Sequence, residues 1–124
     1  MNGQWLGYVT GRILVAALFV PAGFLKLVSP QPFLEHMMAF GVDVRLLPFV
    51  GAFEVCTGLA MLVGIAQRSV ALSLALFCVL TAIVFHMNWD PDSAERALFA
   101  KNIALAGGLL MIGFSNRPNR YLSD

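Results

Sequence analysis

Four ionisable side chains lie inside apolar stretches of this 124-residue sequence, where a charge is energetically expensive. They are Lys26, Glu54, His86 and Lys101, and the amide side chain of Asn102 follows the last of them. Ionisable groups in such segments usually pair with one another or face a polar cavity, and they often mark functional sites. A carboxylate set among lysines can bind a polar ligand or hold helices together.

The composition indicates that the elements positioning these residues cross a membrane. Hydrophobic residues make up 59% of the chain and charged residues only 12%, whereas soluble domains are about a quarter charged. A water-soluble domain of this length has too little interior to bury so much apolar surface, so the lipid bilayer is the expected partner. The net charge of +1 argues against a nucleic-acid partner, because phosphate binding needs a basic face.

Four hydrophobic runs are long enough to span a bilayer, which takes roughly 17 to 25 residues. Pro30 and Pro32 end the first run, and the apolar residues from Phe33 to Met38 then predict a short interfacial helix. The sequence thus predicts an all-α fold: a single transmembrane domain over residues 1–124, forming an antiparallel, up-and-down four-helix bundle. The predicted spans cover residues of about 6–28, 46–66, 69–86 and 97–114.

Folding these spans back and forth brings the polar residues to one depth. Lys26 lies near the outer end of the first span, and Glu54 is eight residues into the second, about 12 Å from its start. His86 ends the third span, while Lys101 and Asn102 begin the fourth. We call these five residues the polar layer, and we expect it to form a pocket of net positive character that opens toward the outer face.

Each member of the polar layer also has a purely structural interpretation. Lys26 and Lys101 could extend to the lipid headgroups, as lysines near helix ends do, and His86 could be an ordinary interface residue. Glu54 is too deep and too short to reach water, so it needs a cationic partner, which either lysine could supply.

Small residues predict close helix packing in two of the spans. Gly51, Gly58 and Gly64 fall in the second span, and Gly107 and Gly108 fall in the fourth. Such residues let helix backbones approach closely in a membrane, which explains them without any functional role.

No motif assigns a metal, a cofactor or a catalytic residue. His36 and His86 lack the spacing of a metal site. Cys56 and Cys78 lie in apolar runs with no C-x-x-C pattern, so we expect them to act as small hydrophobic residues. No phosphate-binding loop, nucleophile elbow or catalytic triad is recognisable, and the sequence does not decide whether the protein is an enzyme.

The distribution of arginines predicts that both termini face the cytoplasm. Four spans put the two termini on the same side of the membrane. That side carries Arg68, Arg117 and Arg120, while the loops of the opposite side carry Arg45 and Arg96. Short loops rich in Lys and Arg remain on the cytoplasmic side.

Motifs in three of the spans resemble the DoxX family of small bacterial membrane proteins. The first is an early Arg12 followed by Gly-Phe-Leu-Lys-Leu, which ends at Leu27. The second is Glu-Val-Cys-Thr-Gly-Leu from Glu54, and the third is Lys-Asn-Ile-Ala-Leu from Lys101. The resemblance covers about residues 11–112, and the order of the motifs across the spans makes it specific.

This resemblance implies a bacterial inner membrane protein with a redox-linked role, because the family is named after a subunit of an archaeal thiosulfate:quinone oxidoreductase. On this basis we expect a quinone- or sulfur-linked oxidoreductase subunit. Its cationic pocket would hold a quinone headgroup or a small sulfur oxyanion and stabilise negative charge on the bound oxygen.

The alternative is a non-catalytic membrane anchor or assembly subunit for a partner protein or for further copies of the chain. The polar layer would then join the helices of this protein to one another. A cavity beside Glu54 would favour the pocket, and an interior filled with side chains would favour the anchor. A transporter is less well supported, because four spans without a broken helix pair are few for that function.

Overall fold

The computed structural model describes residues 2–88, 90–91 and 93–116, and it confirms the all-α class. Five α-helices follow one another: α1 (Gly3–Val28), α2 (Gln31–Ala39), α3 (Leu47–Val63), α4 (Gln67–Phe85) and α5 (Glu95–Phe114). A 3₁₀ turn at Val44–Leu46 leads into α3. The described residues include no β-strand. Arg117 and Arg120, which entered the orientation argument, lie outside the described residues.

Within the described part of the chain, four helical segments are long and apolar enough to cross a membrane: Gly3–Val28, Val44–Val63, Gln67–Phe85 and Glu95–Phe114. Many large apolar side chains on them are exposed, among them Phe49 and Met111 at 74% and 75%. Exposed apolar side chains of this size on long helices suit contact with lipid tails rather than water. The chain is therefore an integral membrane protein.

The predicted short helix between the first two spans is α2. Pro30 precedes its first residue and Pro32 occupies its first turn, where the missing backbone N–H of proline costs nothing. Met37 is the buried residue of α2. The helix ends before Gly41, whose φ of 68° is in the left-handed region that glycine adopts most readily.

The α3 helix ends at Val63, although the apolar run continues to Ala66. Gly64 adopts the left-handed conformation with φ 89°, and the backbone N–H groups of Gly64 and Ile65 both donate to the Ala60 carbonyl at 2.9 Å. This glycine cap terminates the helix. Gly64 is therefore a helix terminator rather than a packing residue.

The described chain forms two compact units, one containing α1, α2 and α3 and the other comprising Gln67–Ser115. In the first unit, Gly58 of α3 lies against Val20, and Gly51 lies against Leu27 further along α1. Gly51 comes before Gly58 on α3, whereas its partner Leu27 comes after Val20 on α1. The two helices are therefore antiparallel, as predicted. In the second unit the α4 and α5 helices pack together along a hairpin.

Candidate functional site

The helices of the first unit meet along one seam with a regular heptad spacing. On α1 the buried residues recur every three or four positions, and the half-buried Lys26 continues the series. The buried residues of α3 follow the same rhythm. Alternating steps of three and four are the pattern of left-handed, coiled-coil-like helix packing. We call this contact the α1–α3 seam; its members are Arg12, Ala16, Phe19, Gly23 and Lys26 on α1, and Leu47, Gly51, Glu54, Gly58 and Met61 on α3.

Glycines bring the two backbones into direct contact around Glu54. A Cβ atom at Gly23 would lie 2.6 Å from the Gly51 carbonyl oxygen and 2.8 Å from the Glu54 Cβ. One turn further along α3, a Cβ at Gly58 would lie 2.7 Å from the Val20 Cγ2 atom. No other residue type fits at Gly23 without separating the helices. The seam therefore holds Glu54 directly against α1.

Glu54 pairs with Lys26 across this close contact. The Lys26 Nζ atom donates a hydrogen bond to Glu54 Oε2 at 2.8 Å, and the side chains are 17% and 5% exposed. The Lys26 Nζ atom also lies 4.8 Å from the centre of the Phe33 ring of α2, within the range of a cation–π contact. Of the two lysines that the sequence offered as partners, Lys26 is thus the one bonded to Glu54.

Lys26 also lines a cavity of about 310 Å³. We call it the Lys26 cavity. It is formed where the C-terminal end of α1, the beginning of α2 and the beginning of α3 come together. Glu54 is not among the residues around it. The described residues that line it are Lys26, Leu27, Pro30, Leu34, Val44, Arg45, Leu47 and Pro48.

Arg45 brings a second cation to the Lys26 cavity, and it is paired as well. Its guanidinium donates to both carboxylate oxygens of Asp43, with Nη2 at 2.8 Å from Oδ2. The hydrogen bonds from Arg45 hold the pKa of the Asp43 carboxyl below its ordinary value. The pair is open to water, with the two side chains 88% and 46% exposed.

Arg12 has a role at the opposite end of the seam, and this role is not among those predicted above. It is 8% exposed. Its Nε atom donates to the Met61 carbonyl at 2.9 Å and its Nη2 atom to the Leu62 carbonyl at 2.8 Å. These carbonyls belong to the last turn of α3, where no further helical N–H follows. The guanidinium thus caps α3, at the end where the helix dipole favours a positive charge.

A spacing signal for this role was present in the sequence. Arg12 and Lys26 are two heptads apart, so they lie on the same face of a regularly packed helix. The two cations of the first span therefore point to one partner helix. The role of Arg12 also depends on where α3 ends. The sequence does not show this position, because the apolar run continues beyond the last residue of the helix.

In the second unit the polar residues bond to different partners. His86, just beyond the end of α4, contacts Glu95 at the start of α5, with 2.5 Å between Nδ1 and Oε2. Asn102 donates to the Leu98 carbonyl of its own helix at 3.0 Å, and Lys101 is exposed. Glu95 was not among the predicted site residues. That all five residues of the polar layer form one site stays a prediction.

Cys56 is exposed and Cys78 is buried, and these two described cysteines form no disulfide. Each lies within a helix, Cys56 in α3 and Cys78 in α4. Neither is part of the Lys26 cavity or of the ion pair.

The apolar spans and the ion pair between two of them define an integral membrane protein with a charge pair between its helices. The DoxX family model matches residues 7–87, more than half of the chain, and the chain belongs to the DoxX family. The match includes the first two sequence motifs and ends at residue 87. The third motif, which begins at Lys101, lies beyond it. No solved structure matches the chain.

Two relatives from Escherichia coli (strain K12) are similar over most of their length. Inner membrane protein YqjF is 35% identical over 119 residues, which cover 96% of this chain and 90% of the relative. Inner membrane protein YphA is 24% identical over 110 residues, covering 84% of this chain and 79% of the relative.

Proposed function

We propose that this protein is a quinone- or sulfur-linked oxidoreductase subunit that holds a small ligand in the Lys26 cavity. The observation that carries the proposal is the ion pair between Lys26 and Glu54, placed inside two spans and next to that cavity. Buried charges in a membrane are expensive. A lysine held in place by a buried carboxylate and bordering a cavity is a preorganised hydrogen-bond donor.

The residues around the cavity fit a quinone headgroup. Six of the eight described lining residues are apolar, and the other two, Lys26 and Arg45, are hydrogen-bond donors. A quinone presents carbonyl oxygens, which accept hydrogen bonds, on an apolar ring. A volume of about 310 Å³ is at the lower end of the range for small-molecule sites.

In this arrangement the chain supplies binding and orientation. The Lys26 ammonium donates a hydrogen bond to a ligand oxygen and stabilises negative charge that develops on it. Glu54 orients the ammonium, and the leucines on the cavity wall exclude water. A bound quinone supplies the capacity to accept and release electrons.

The inner membrane is the proposed location, with both termini in the cytoplasm. Support comes from the two relatives, which are named as inner membrane proteins, and from the distribution of arginines along the sequence. In this orientation the Lys26 cavity lies in the outer half of the membrane.

The second candidate function is a non-catalytic membrane subunit that anchors or assembles a partner protein. The α1–α3 seam supports it, because its glycine contacts and its ion pair hold two helices together without any ligand. Under this function the Lys26–Glu54 pair is structural.

Native mass spectrometry after gentle extraction from a bacterial membrane tests the first function against the second. We expect a small molecule bound to the wild type and lost in Lys26→Met, with occupancy at least about tenfold lower because a charge-assisted hydrogen bond is removed. The matched control is Arg96→Met, which removes an exposed cation from the other unit and should leave occupancy unchanged. A ligand-free protein carrying a stoichiometric partner chain would instead support the anchor function.

A further inference from the structure

The charges around the Lys26 cavity are balanced one to one. Lys26 is bonded to Glu54 and Arg45 to Asp43, each pair at 2.8 Å. Two positive and two negative groups give a formal sum of zero. The pocket of net positive character expected from the sequence therefore does not describe the immediate surroundings of this cavity.

We infer that Glu54, acting through Lys26, makes the Lys26 cavity selective for neutral, hydrogen-bond-accepting ligands over anions. This inference rests on the proposed ligand-binding function and narrows its ligand class. Glu54 does not line the cavity, so it is a specificity-determining residue that acts through the lysine it holds.

The hydrogen-bonding capacity of the lining side chains requires a ligand that accepts. An ammonium has three donor hydrogens and a guanidinium five, and neither group accepts. The carboxylates of Glu54 and Asp43 engage some of these donors, and the remainder can bond to a ligand oxygen. The other lining side chains, from leucine, proline and valine, offer no polar atom.

The charge balance decides between neutral and anionic acceptors. An anion entering the cavity loses its hydration and finds both cations already paired, so its charge is incompletely compensated against an apolar wall. A neutral carbonyl group takes the remaining hydrogen bonds without that cost.

Glu54 should contribute more to this selectivity than Asp43. The Glu54 side chain is 5% exposed and the Asp43 side chain 46% exposed. Water and salt screen the more exposed charge more strongly. Removing the Glu54 charge leaves Lys26 unpaired at the cavity, which then has a net positive charge and attracts anions.

Two probes that differ by one charge test the inference: 1,4-naphthoquinone and 1,4-naphthoquinone-2-sulfonate. Dissociation constants are measured by titration calorimetry with the full chain in detergent micelles. We expect the wild type to bind the neutral probe roughly tenfold more tightly. In Glu54→Gln the ratio of the two constants should shift toward the sulfonate by about tenfold or more.

Glu35→Gln is the matched control, since Glu35 is an exposed carboxylate on α2 that is absent from the cavity wall. Its ratio should equal that of the wild type. Comparing ratios cancels the unequal partitioning of the two probes into micelles. Asp43→Asn, on the protein surface, provides a second variant in case Glu54→Gln does not fold, and it should shift the ratio in the same direction by a smaller factor.

The outcomes distinguish a failure of the selectivity inference from a failure of the proposed ligand-binding function. A wild type that binds neither probe contradicts the ligand-binding function and the inference together. A wild type that binds the sulfonate as tightly as the neutral ring leaves the function standing and overturns the selectivity. Ratios that stay constant across the folded charge variants overturn the assignment to Glu54.

Discussion

The two helical units of this protein place their polar groups in different ways. In the first unit, Arg12, Lys26 and Glu54 lie along the α1–α3 seam, and each bonds to the opposite helix. In the second unit, a contact between the His86 ring and the Glu95 carboxyl joins the ends of two helices next to a loop. The seam charges have little access to water, so their partners must come from the protein. The first unit should therefore depend on its polar contacts far more than the second.

The largest effect is expected from breaking the pair inside the seam. Glu54→Gln leaves the Lys26 ammonium without its carboxylate, and loss of one partner of a buried pair typically costs about 3 kcal/mol or more. In the second unit, Glu95→Gln should cost roughly 1 kcal/mol, because the Glu95 side chain is more exposed than that of Glu54 (24% against 5%). Free energies of unfolding from denaturant titrations in mixed micelles measure both.

The double variant Lys26→Met with Glu54→Leu sharpens this test. Replacing both charges by apolar groups removes the unpaired ion, so stability should return close to that of the wild type. If the double variant is as unstable as Glu54→Gln, the seam depends on the ion pair for more than charge compensation.

The next effect concerns Arg12 at the other end of the seam. Arg12→Met leaves the Met61 and Leu62 carbonyls without their donor and should reduce the free energy of unfolding by about 2 kcal/mol. Arg68→Met is the control: Arg68 is exposed and contacts the Phe114 ring at 5.4 Å, which is worth about 0.5 kcal/mol at such a site. Equal losses in the two variants would contradict the capping role.

A loss of similar size is expected from one methyl group in the seam. Gly23→Ala forces its Cβ against the Gly51 carbonyl oxygen, and such overpacking costs about 1 to 3 kcal/mol. Gly107→Ala on α5 is the matched change, because nothing lies within 4 Å of its added Cβ, and it should be neutral. Thermal unfolding of the two variants side by side measures the difference. A Gly23→Ala protein as stable as the wild type would show that the helices can move apart freely.

The sequence was sufficient for features that depend on hydrophobicity and depth. The length of the apolar runs predicted the four spans, and the two prolines after the first run predicted the short helix before α3. The depth of Glu54 indicated a cationic partner, and Lys26 at a matching depth is that partner. Each of these follows from a regular rise per residue and the cost of burying a charge.

Features that depend on helix ends could not be derived in the same way. Gly64 ends α3 inside an apolar run, so the sequence does not show that the carbonyls bonded to Arg12 belong to the last turn of a helix. The charged Glu95 begins α5 two residues ahead of the predicted fourth span, which starts at about residue 97. The Lys26 cavity requires the positions of Leu34 on α2 and of Val44 in the 3₁₀ turn before α3, and no periodicity in the sequence encodes them.

The smallest effect concerns the Asp43–Arg45 pair, which has the same length of 2.8 Å as the seam pair but far more exposed side chains. Arg45 lowers the pKa of Asp43 below its ordinary value of 3.8. The folded state therefore binds the Asp43 proton more weakly than the unfolded state, and the pair stabilises the fold at pH values above 3.8. As the pH falls through the lowered folded-state pKa, both states become protonated and this stabilisation is lost.

The difference in unfolding temperature between wild type and Asp43→Asn should be small at neutral pH and should disappear under acidic conditions. A difference that persists when Asp43 is fully protonated would mean that the aspartate stabilises the fold by something other than its charge.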